Sequence, residues 1–266
     1  MRTAAGGWFA VLLTVALAAA LTFLTLPIVA IFAQQPPGEL ISALGEEGAL
    51  DALWLSLRTT AAALVLILLV GTPAAYGIAL RRFRGRALLI TLVELPLVLP
   101  PAVAGIALLA AVGPATLLGR AAQDAGLQLT LATAGVVVAL TFVAAPFYLR
   151  QAIASFEAID PTLLDASRTL GAAPARTFWR VAIPTALPGL VAGTALALGR
   201  ALGEFGATLM FAGSFQGVTQ TVPLAIYDRF ATDFTAALAL SAVLVAVSAA
   251  ILLSVKLVRG PDAVAR

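Results

Sequence analysis

The chain has 266 residues, of which 61% are hydrophobic and 11% charged, and its net charge is +3. Soluble domains are about 45–50% apolar, so this composition indicates an integral membrane protein. Cysteine and histidine are absent, which excludes a disulfide framework and removes the commonest acid–base catalyst and metal ligand. The only lysine, Lys256, is not part of a phosphate-binding G-x-x-x-x-G-K-[ST] loop. We therefore predict no catalytic residue, no metal site and no cofactor in this chain.

Two long apolar runs begin the chain. Residues 8–33 follow Arg2 and exceed the apolar core of a signal peptide, so we predict an uncleaved first span. Residues 34–51 contain four acidic residues and no Lys or Arg, which favours an external loop. The second span is predicted at 53–80. Four arginines at 81–86 follow it, and between two spans they favour a cytoplasmic loop over a nucleic-acid-binding patch.

The third predicted span, residues 87–112, is interrupted by Pro96, Pro100 and Pro101. Each proline removes a backbone donor. Such breaks persist in a membrane only where protein or a water-filled path satisfies the backbone. Glu94 precedes the first of these prolines. We predict it either as a buried acid or as a residue at the cytoplasmic membrane surface.

The rest of the chain is predicted as two loops, three spans and a tail: loop 113–129, span four 130–148, span five 186–211, loop 212–234, span six 234–258 and tail 259–266. A polar segment, residues 156–184, separates spans four and five. We predict two short amphipathic helices within it. The first starts at Asp160, a residue that can cap a helix, and ends at Gly171. The second starts at Pro174, and Pro184 closes the segment before span five begins.

Six spans place both termini on the same side of the membrane. Arg58 and Arg200 lie within predicted spans and are left out of the charge comparison. Of the other fourteen Lys and Arg residues, twelve fall in predicted inside segments, and only Arg120 and Arg229 fall outside. This asymmetry predicts that both termini and the 156–184 segment are cytoplasmic.

Two charged residues occur in predicted span five. Arg200 and Glu204 lie four residues apart, so on one helix they share a face. Ionised groups in a bilayer cost about 3 kcal/mol each unless they are paired or hydrated. The pair either holds two helices together or lines a translocation path. Small-residue steps at Gly189/Gly193 and Gly199/Gly203 predict close helix contacts.

A pattern in the 156–184 segment is similar to the EAA loop of ABC importer permeases: Asp165, Ala166, Ser167, Gly171, Val181, Ile183 and Pro184. In that family the pattern is E-A-A, three residues, G, nine residues and I-x-L-P. The four departures are conservative, and Gly171 and Pro184 have the expected spacing. The resemblance implies that the loop docks into a cytoplasmic ATPase subunit. It assigns coupling to Asp165, Ala166, Ser167, Gly171, Phe178, Trp179 and Pro184. The alternative is an ordinary hairpin between two spans.

Two blocks resemble the molybdate permease branch of that family more specifically. They are LGEFGATLMFAG at 202–213 and TQTVPLAIY at 219–227. Sulfate permeases share the Gly-Glu-Phe-Gly core and usually diverge after it. Between the blocks, Ser214 stands where relatives often have Asn. The resemblance covers residues 50–258.

This resemblance implies an all-α integral membrane protein with six transmembrane helices and the type I ABC importer permease fold. It divides the chain into a first helix with its external loop (1–50), a transmembrane domain (51–258) and a cytoplasmic tail (259–266). The implied function is a permease subunit for molybdate, and for tungstate, in the inner membrane of a prokaryote. The residues expected along the translocation pathway are Arg200, Glu204, Glu94, Pro96, Pro100 and Thr208.

The resemblance also implies the partners. They are a second copy that completes a homodimeric pore, two cytoplasmic ABC ATPase subunits that bind ATP and Mg, a periplasmic oxyanion-binding protein and membrane lipid, but no nucleic acid. Within the same class, a sulfate or thiosulfate permease stays open. In another class, an ion-driven secondary transporter stays open, although few buried acids and no histidine weigh against a proton relay. The EAA-like loop would also be unexplained in such a carrier. A membrane enzyme is disfavoured because His and Cys are absent and no in-membrane Ser/Lys or Asp/Asp pair is evident. A structural or receptor subunit would not need the proline breaks of the third span.

Overall fold

The computed structural model describes residues 4–34, 48–81 and 83–258, together with the single positions 36, 38, 42 and 45. These residues form helices and turns, and no strand occurs among them. The helices are α1 (Ala4–Ala33), α2 (Ala49–Leu80), α3 (Arg86–Val98), α4 (Pro101–Val112), α5 (Leu117–Asp124), α6 (Thr133–Glu157), α7 (Pro161–Thr169), α8 (Pro174–Thr177), α9 (Ile183–Leu202), α10 (Gly206–Ala212), α11 (Val222–Phe230) and α12 (Phe234–Val258). The predicted tail at 259–266 and part of the predicted external loop at 34–51 lie outside the described residues.

Five helical segments in this part of the chain are long and apolar enough to cross a membrane: Gly7–Ala33, Ala49–Leu80, Thr133–Glu157, Pro174–Leu202 and Phe234–Ser254. The pair α3 and α4 adds a sixth crossing if it is counted as one span. The prediction of an all-α protein with six apolar segments is therefore confirmed. Span four is longer than predicted, since α6 continues beyond Tyr148 to Glu157.

The third predicted span, 87–112, is not a straight crossing, because the helix direction bends by 119° between α3 and α4. Pro96 lies inside α3 without ending it, and the break falls instead at Leu99 and Pro100. Each of these two residues precedes a proline, whose ring disfavours the α conformation of the residue before it. Both therefore have extended backbone, with ψ of 132° at Leu99 and 138° at Pro100. The Pro-Pro pair accounts for the change of direction.

Helix α6 is at the centre of the helix packing and contacts both α2 and α9. Its buried Tyr148 lies between two glycines, Gly71 of α2 and Gly193 of α9. A Cβ at these positions would be 3.1 Å and 3.2 Å from the tyrosine ring. The Tyr148 hydroxyl is also 2.6 Å from Thr72 Oγ1. Glycine on both neighbours allows the helices to approach the ring closely, as small residues do in membrane helix packing.

Gly189 of α9 lies against Ser155 of α6, as the first small-residue step predicts. An added Cβ would overlap with Ser155 Oγ and lie 2.7 Å from Ser155 Cβ. We expect Gly189→Leu to lower the free energy of unfolding by about 1–3 kcal/mol, the usual cost of overpacking. Gly199 has no atom within 4 Å of an added Cβ, so Gly199→Leu on the same helix is the matched control. Denaturant unfolding of the purified variants measures the difference, and equal losses would contradict this packing.

Both predicted loops, 113–129 and 212–234, contain a helix that their sequence pattern did not reveal. Helix α5 lies in the first, where the Thr116 side chain accepts a hydrogen bond from the backbone N–H of Gly119 at 3.0 Å. Such a cap satisfies a free donor of the first turn. Helix α11 lies in the second. Its first residue, Val222, donates its backbone N–H to Ser56 Oγ of α2 at 2.8 Å, which fixes the helix to a span.

Candidate functional site

The polar segment 156–184, called the hairpin below, begins as predicted. The Asp160 carboxylate accepts a hydrogen bond from the backbone N–H of Thr162 at 2.9 Å and so caps α7. This hydrogen bond holds the pKa of Asp160 below its usual value. Gly171 has φ of 78°, and the backbone N–H groups of Gly171 and Ala172 donate back to the last turn of α7. That left-handed conformation, which glycine adopts without steric cost, ends the helix.

The two arms of the hairpin are joined by a pair of hydroxyl groups. Ser167 Oγ of α7 and Thr177 Oγ1 of α8 are 2.8 Å apart. Thr177 is buried at 2% exposure, so the contact is shielded from solvent. Ser167 stands where the EAA pattern has alanine, and the hydroxyl provides a link that alanine would lack. The two arms are therefore linked by a polar contact as well as by the turn at Gly171.

One face of α7, together with its C-cap residue Leu170, is an exposed apolar ridge that also contains Leu163 and Ala166. Leu170 is 87% exposed and Leu163 is 47% exposed, whereas the neighbouring Leu164 is buried against the helix core at 5%. Positions i, i+3 and i+7 lie on one side of a helix, so the three side chains form a continuous strip. We call it the leucine ridge. On a polar segment outside the spans, such a strip is available for contact with a partner.

The charged residues of α7 lie beside a cavity. Asp165 and Arg168 form an exposed ion pair with 3.0 Å between Oδ1 and Nη1. They line a cavity of about 580 Å³ between α7 and the ends of α2 and α6, together with the ion pair of Arg86 and Glu157. Exposed pairs of this kind contribute only about 0–1 kcal/mol to stability. The predicted coupling residue Asp165 is thus accessible, as is Ala166.

Pro184 does not close the hairpin, so that prediction is wrong. Helix α8, a π-helical turn at Phe178–Ala182 and α9 form one continuous segment, Pro174–Leu202. The backbone N–H of Ile183 donates to the Phe178 carbonyl across this wider turn. Proline lacks an N–H and normally clashes with the carbonyl four residues before it, but here that carbonyl lies within the π turn. The hairpin is therefore directly continuous with a membrane span.

The π turn is fixed to the helix core by aromatic side chains. The ring centroids of Phe178 and Tyr76 of α2 are 4.8 Å apart, and those of Tyr76 and Phe156 of α6 are 5.3 Å apart. The adjacent Trp179 is 66% exposed. The predicted coupling residues Phe178 and Trp179 therefore differ in their surroundings, since one packs on two spans and the other lies at the surface.

Predicted span five is interrupted at 203–205, so Arg200 and Glu204 do not share one helix as predicted. Arg200 Nη2 is nevertheless 2.6 Å from Glu204 Oε2 across the end of α9. Glu204 is 1% exposed, and its other oxygen, Oε1, accepts a hydrogen bond from the backbone N–H of Ala207 at 2.6 Å. One buried carboxylate thus neutralises Arg200 and caps the first turn of α10. The geometry supports the prediction that the pair joins two helices.

The break at 203–205 lies beside the break at 99–100, and we call them the paired breaks. A Cβ on Gly206 would be 2.6 Å from Pro101 Cβ, and one on Gly105 would be 2.7 Å from the carbonyl oxygen of Ala207. Helices α4 and α10 therefore approach each other closely. In the same region Thr208 is fully buried, and its hydroxyl has no hydrogen-bond partner among the described residues.

Of the two placements predicted for Glu94, the structure supports the exposed one. Glu94 Oε1 is 3.4 Å from Arg150 Nε, and both side chains are more than a third exposed. Pro96 is half-buried within α3, and Pro100 is exposed at the break. Of the six residues predicted along the pathway, Pro100 lies at one of the paired breaks, and Arg200, Glu204 and Thr208 lie at or next to the other.

Sequence reasoning missed the leucine ridge and Asp228. The Oδ2 atom of Asp228 in α11 accepts hydrogen bonds from Ser214 Oγ at 2.8 Å and Gln220 Nε2 at 2.6 Å. Asp228 thus orders the turn that follows α10. No group of three or more possible metal-ligating side chains is placed to hold an ion in the part of the chain that the structure covers.

Comparison with known proteins gives concordant matches. Residues 67–259 match the family described as binding-protein-dependent transport system inner membrane component. The chain is 45% identical over 246 residues to the molybdenum transport system permease protein ModB of Mycobacterium tuberculosis, across 89% of this chain and 90% of that protein. It is 35% identical over 208 residues to the sulfate transport system permease protein CysW of Synechococcus elongatus, across 76% and 73%. A solved bacterial ABC transporter involved in the import of the acidic polysaccharide alginate has a chain of similar fold, with a TM-score of 0.72, 18% identity, and coverage of 94% and 93%.

Proposed function

The chain belongs to the family of binding-protein-dependent transport system inner membrane components, and we propose that it is the membrane-spanning permease subunit of an ATP-driven molybdate importer. The apolar segments and the likeness to the alginate importer support the type I ABC importer permease fold. Molybdate is favoured over sulfate because identity is 45% to a molybdenum permease and 35% to a sulfate permease. The protein is a multi-pass component of the inner membrane.

The structural observation that carries the proposal is the continuity of the hairpin with the membrane domain. The leucine ridge on α7 provides an apolar surface, and the segment Pro174–Leu202 runs without a break from the hairpin to the Arg200–Glu204 pair. Displacement of the hairpin by a partner would therefore move the end of α9, where α10 and the paired breaks begin. A secondary transporter would have no use for such a connection, which favours an ABC permease over that alternative.

In the proposed mechanism, two copies of this chain form the pore, and two ATPase subunits bind ATP and Mg beneath it. A periplasmic binding protein delivers the oxyanion from outside, and both termini and the hairpin are cytoplasmic. ATP binding brings the ATPase subunits together and shifts the pore from inward-open to outward-open through the hairpins. Hydrolysis returns it to inward-open. The nucleotide thus biases two positions of the hairpin, as coupling between two sites requires.

Substrate choice is proposed to depend mainly on the binding protein. A site that held the anion tightly within the pore would slow its release. The two charged groups in the described part of α9 and its following break, Arg200 and Glu204, already neutralise each other. This chain needs no cofactor of its own in the mechanism.

The leucine ridge gives a direct prediction. We expect Leu170→Glu to weaken binding of the ATPase subunit about tenfold or more, because it places a charge in an apolar contact that the complex would desolvate. Leu170 is exposed, so the fold should be unaffected. The matched control is Leu117→Glu on α5, a leucine of similar exposure in a different connection. Co-purification with the ATPase subunit measures the effect, and equal retention of the subunit by both variants would contradict the assignment.

Competition during uptake tests the choice of substrate. Cells that contain this chain with its ATPase and binding protein are supplied with labelled molybdate and excess tungstate or excess sulfate. Tungstate should abolish uptake, and sulfate should leave it unchanged. Competition by sulfate at a comparable concentration would assign the chain to a sulfate permease instead.

A further inference from the structure

Helices α2 and α3 are consecutive in the chain, yet apart from the hydrogen bond from Arg86 Nε to the Ile78 carbonyl oxygen they approach each other little. A groove of about 820 Å³ lies between them instead. Its walls are apolar and are formed mainly by Pro73, Ala74, Gly77, Ile78, Leu89 and Val93. From Pro73 to the end of α2 the groove extends for roughly 12 Å at the usual helical rise per residue. Both helices belong to apolar segments assigned as spans, so the groove lies within the membrane-spanning part of the chain.

The groove is positively charged where α2 ends. Arg81 lines it, and Arg84 follows in the same connection. Both side chains are exposed, and in the described part of the chain neither has a carboxylate within ion-pair distance. Arg86 is different, because its Nε donates to the Ile78 carbonyl oxygen at 2.9 Å and its Nη2 pairs with Glu157. Among the described arginines of this connection, one therefore stabilises the fold and two are free to bind an anion.

We propose that this groove binds an anionic phospholipid of the cytoplasmic leaflet. The acyl chain lies between α2 and α3, and the phosphate of the headgroup contacts Arg81 and Arg84. The charge asymmetry of the sequence predicts that the α2–α3 connection is cytoplasmic, and its position at the end of a span puts it near the lipid headgroups. Basic pockets between membrane helices on that side are suited to anionic headgroups, since each arginine near the surface attracts them. Phe83, 45% exposed, contributes an apolar contact at the same level.

This site goes beyond the proposed transport function and does not depend on its substrate. A lipid in the groove would fill the space between two helices that do not pack on each other. It would thereby support the start of α3, the helix that ends at the break of 99–100. Because Arg86 joins the same connection to Glu157 at the end of α6, lipid binding is structurally adjacent to the hairpin.

Native mass spectrometry of the full chain in detergent, with added phosphatidylglycerol or phosphatidylcholine, tests the charge requirement. We expect wild-type protein to retain the anionic lipid about tenfold better than the zwitterionic one. The double variant Arg81→Gln/Arg84→Gln should lose this preference. The matched control, Arg176→Gln/Arg180→Gln, removes two exposed arginines of the hairpin and should keep it. Equal retention of the two lipids by wild type, or equal loss of preference in both double variants, would overturn the proposal.

A second variant tests the groove itself. Gly77 has no atom within 4 Å of an added Cβ, so Gly77→Leu fills the groove without a clash and raises helix propensity. It should fold and retain less phosphatidylglycerol, whereas Gly199→Leu, equally free of neighbours, should retain the wild-type amount. Unchanged retention in Gly77→Leu would overturn the assignment of the site. Loss of a dimer in Gly77→Leu would show that a second copy covers the groove, and would also overturn the assignment of a lipid site.

Discussion

Replacing Glu204 with alanine is expected to lower the free energy of unfolding by about 3 kcal/mol, the size of effect seen when one partner of a buried ion pair is removed. Two losses combine. Arg200, whose side chain is 27% exposed, keeps its charge without a counter-ion, and the backbone N–H of Ala207 loses the carboxylate oxygen that it donates to at 2.6 Å. An orphaned buried donor adds its own desolvation cost.

Two further variants separate these losses. Glu204→Gln keeps an oxygen for the Ala207 N–H and removes only the charge. Its free energy of unfolding should therefore lie between those of wild type and Glu204→Ala. The double variant Arg200→Met/Glu204→Met removes both charges, and apolar replacement of a buried pair is often close to neutral. It should therefore be more stable than Glu204→Ala. Denaturant unfolding of the purified protein measures all three, and a double variant less stable than Glu204→Ala would contradict the pairing.

Gly171→Val is expected to reduce ATP-driven uptake by about tenfold or more while the protein remains in the membrane at its normal level. Gly171 has φ of 78°, and a β-branched residue is strained there, so the turn between α7 and α8 must change. The Ser167–Thr177 contact and the direction of the leucine ridge depend on that turn. Uptake of labelled molybdate and immunodetection in membranes give the two measurements.

Gly126→Val is the matched control for this substitution. Gly126 also has φ of 78° and also has no atom within 4 Å of an added Cβ, but it follows α5 rather than α7. The same backbone strain outside the hairpin should leave uptake close to normal. Similar losses in both variants would show that strain alone, and not the hairpin, accounts for the result with Gly171→Val.

Local signals explain why the hairpin could be predicted in detail. Asp160 as a cap, Gly171 at a positive φ and Pro174 at a helix start each act through their own backbone, so their effect can be inferred without tertiary structure. The apolar spans were predictable for a similar reason, because the length and hydropathy of a run decide membrane insertion.

The sequence-based predictions are wrong at positions where tertiary packing determines whether a helix continues or ends. Pro184 was expected to end a helix, but a π turn held by Phe178 against two spans allows the helix to continue. The break at 203–205 contains no proline, and its apolar surroundings gave no sign that Glu204 would cap a new helix. Only the geometry of the folded chain shows these two features.

The leucine ridge could not be assigned for a related reason. Leu163 and Leu164 are adjacent in the sequence, yet one is exposed and the other is part of the core. Apolar periodicity over the nine residues of α7 is too short to separate a face that meets the protein from a face that meets a partner. The position of α7 against α6 and α2 was needed to distinguish them.

We propose that this chain moves molybdate only when a partner hydrolyses ATP. The most direct measurement is uptake of labelled molybdate into proteoliposomes that contain the chain, its ATPase subunit and its binding protein, with ATP on the ATPase side. Omission of each component in turn should abolish uptake, and a non-hydrolysable ATP analogue should prevent repeated transport. Uptake that persists without the ATPase subunit would contradict the assignment to an ATP-driven importer.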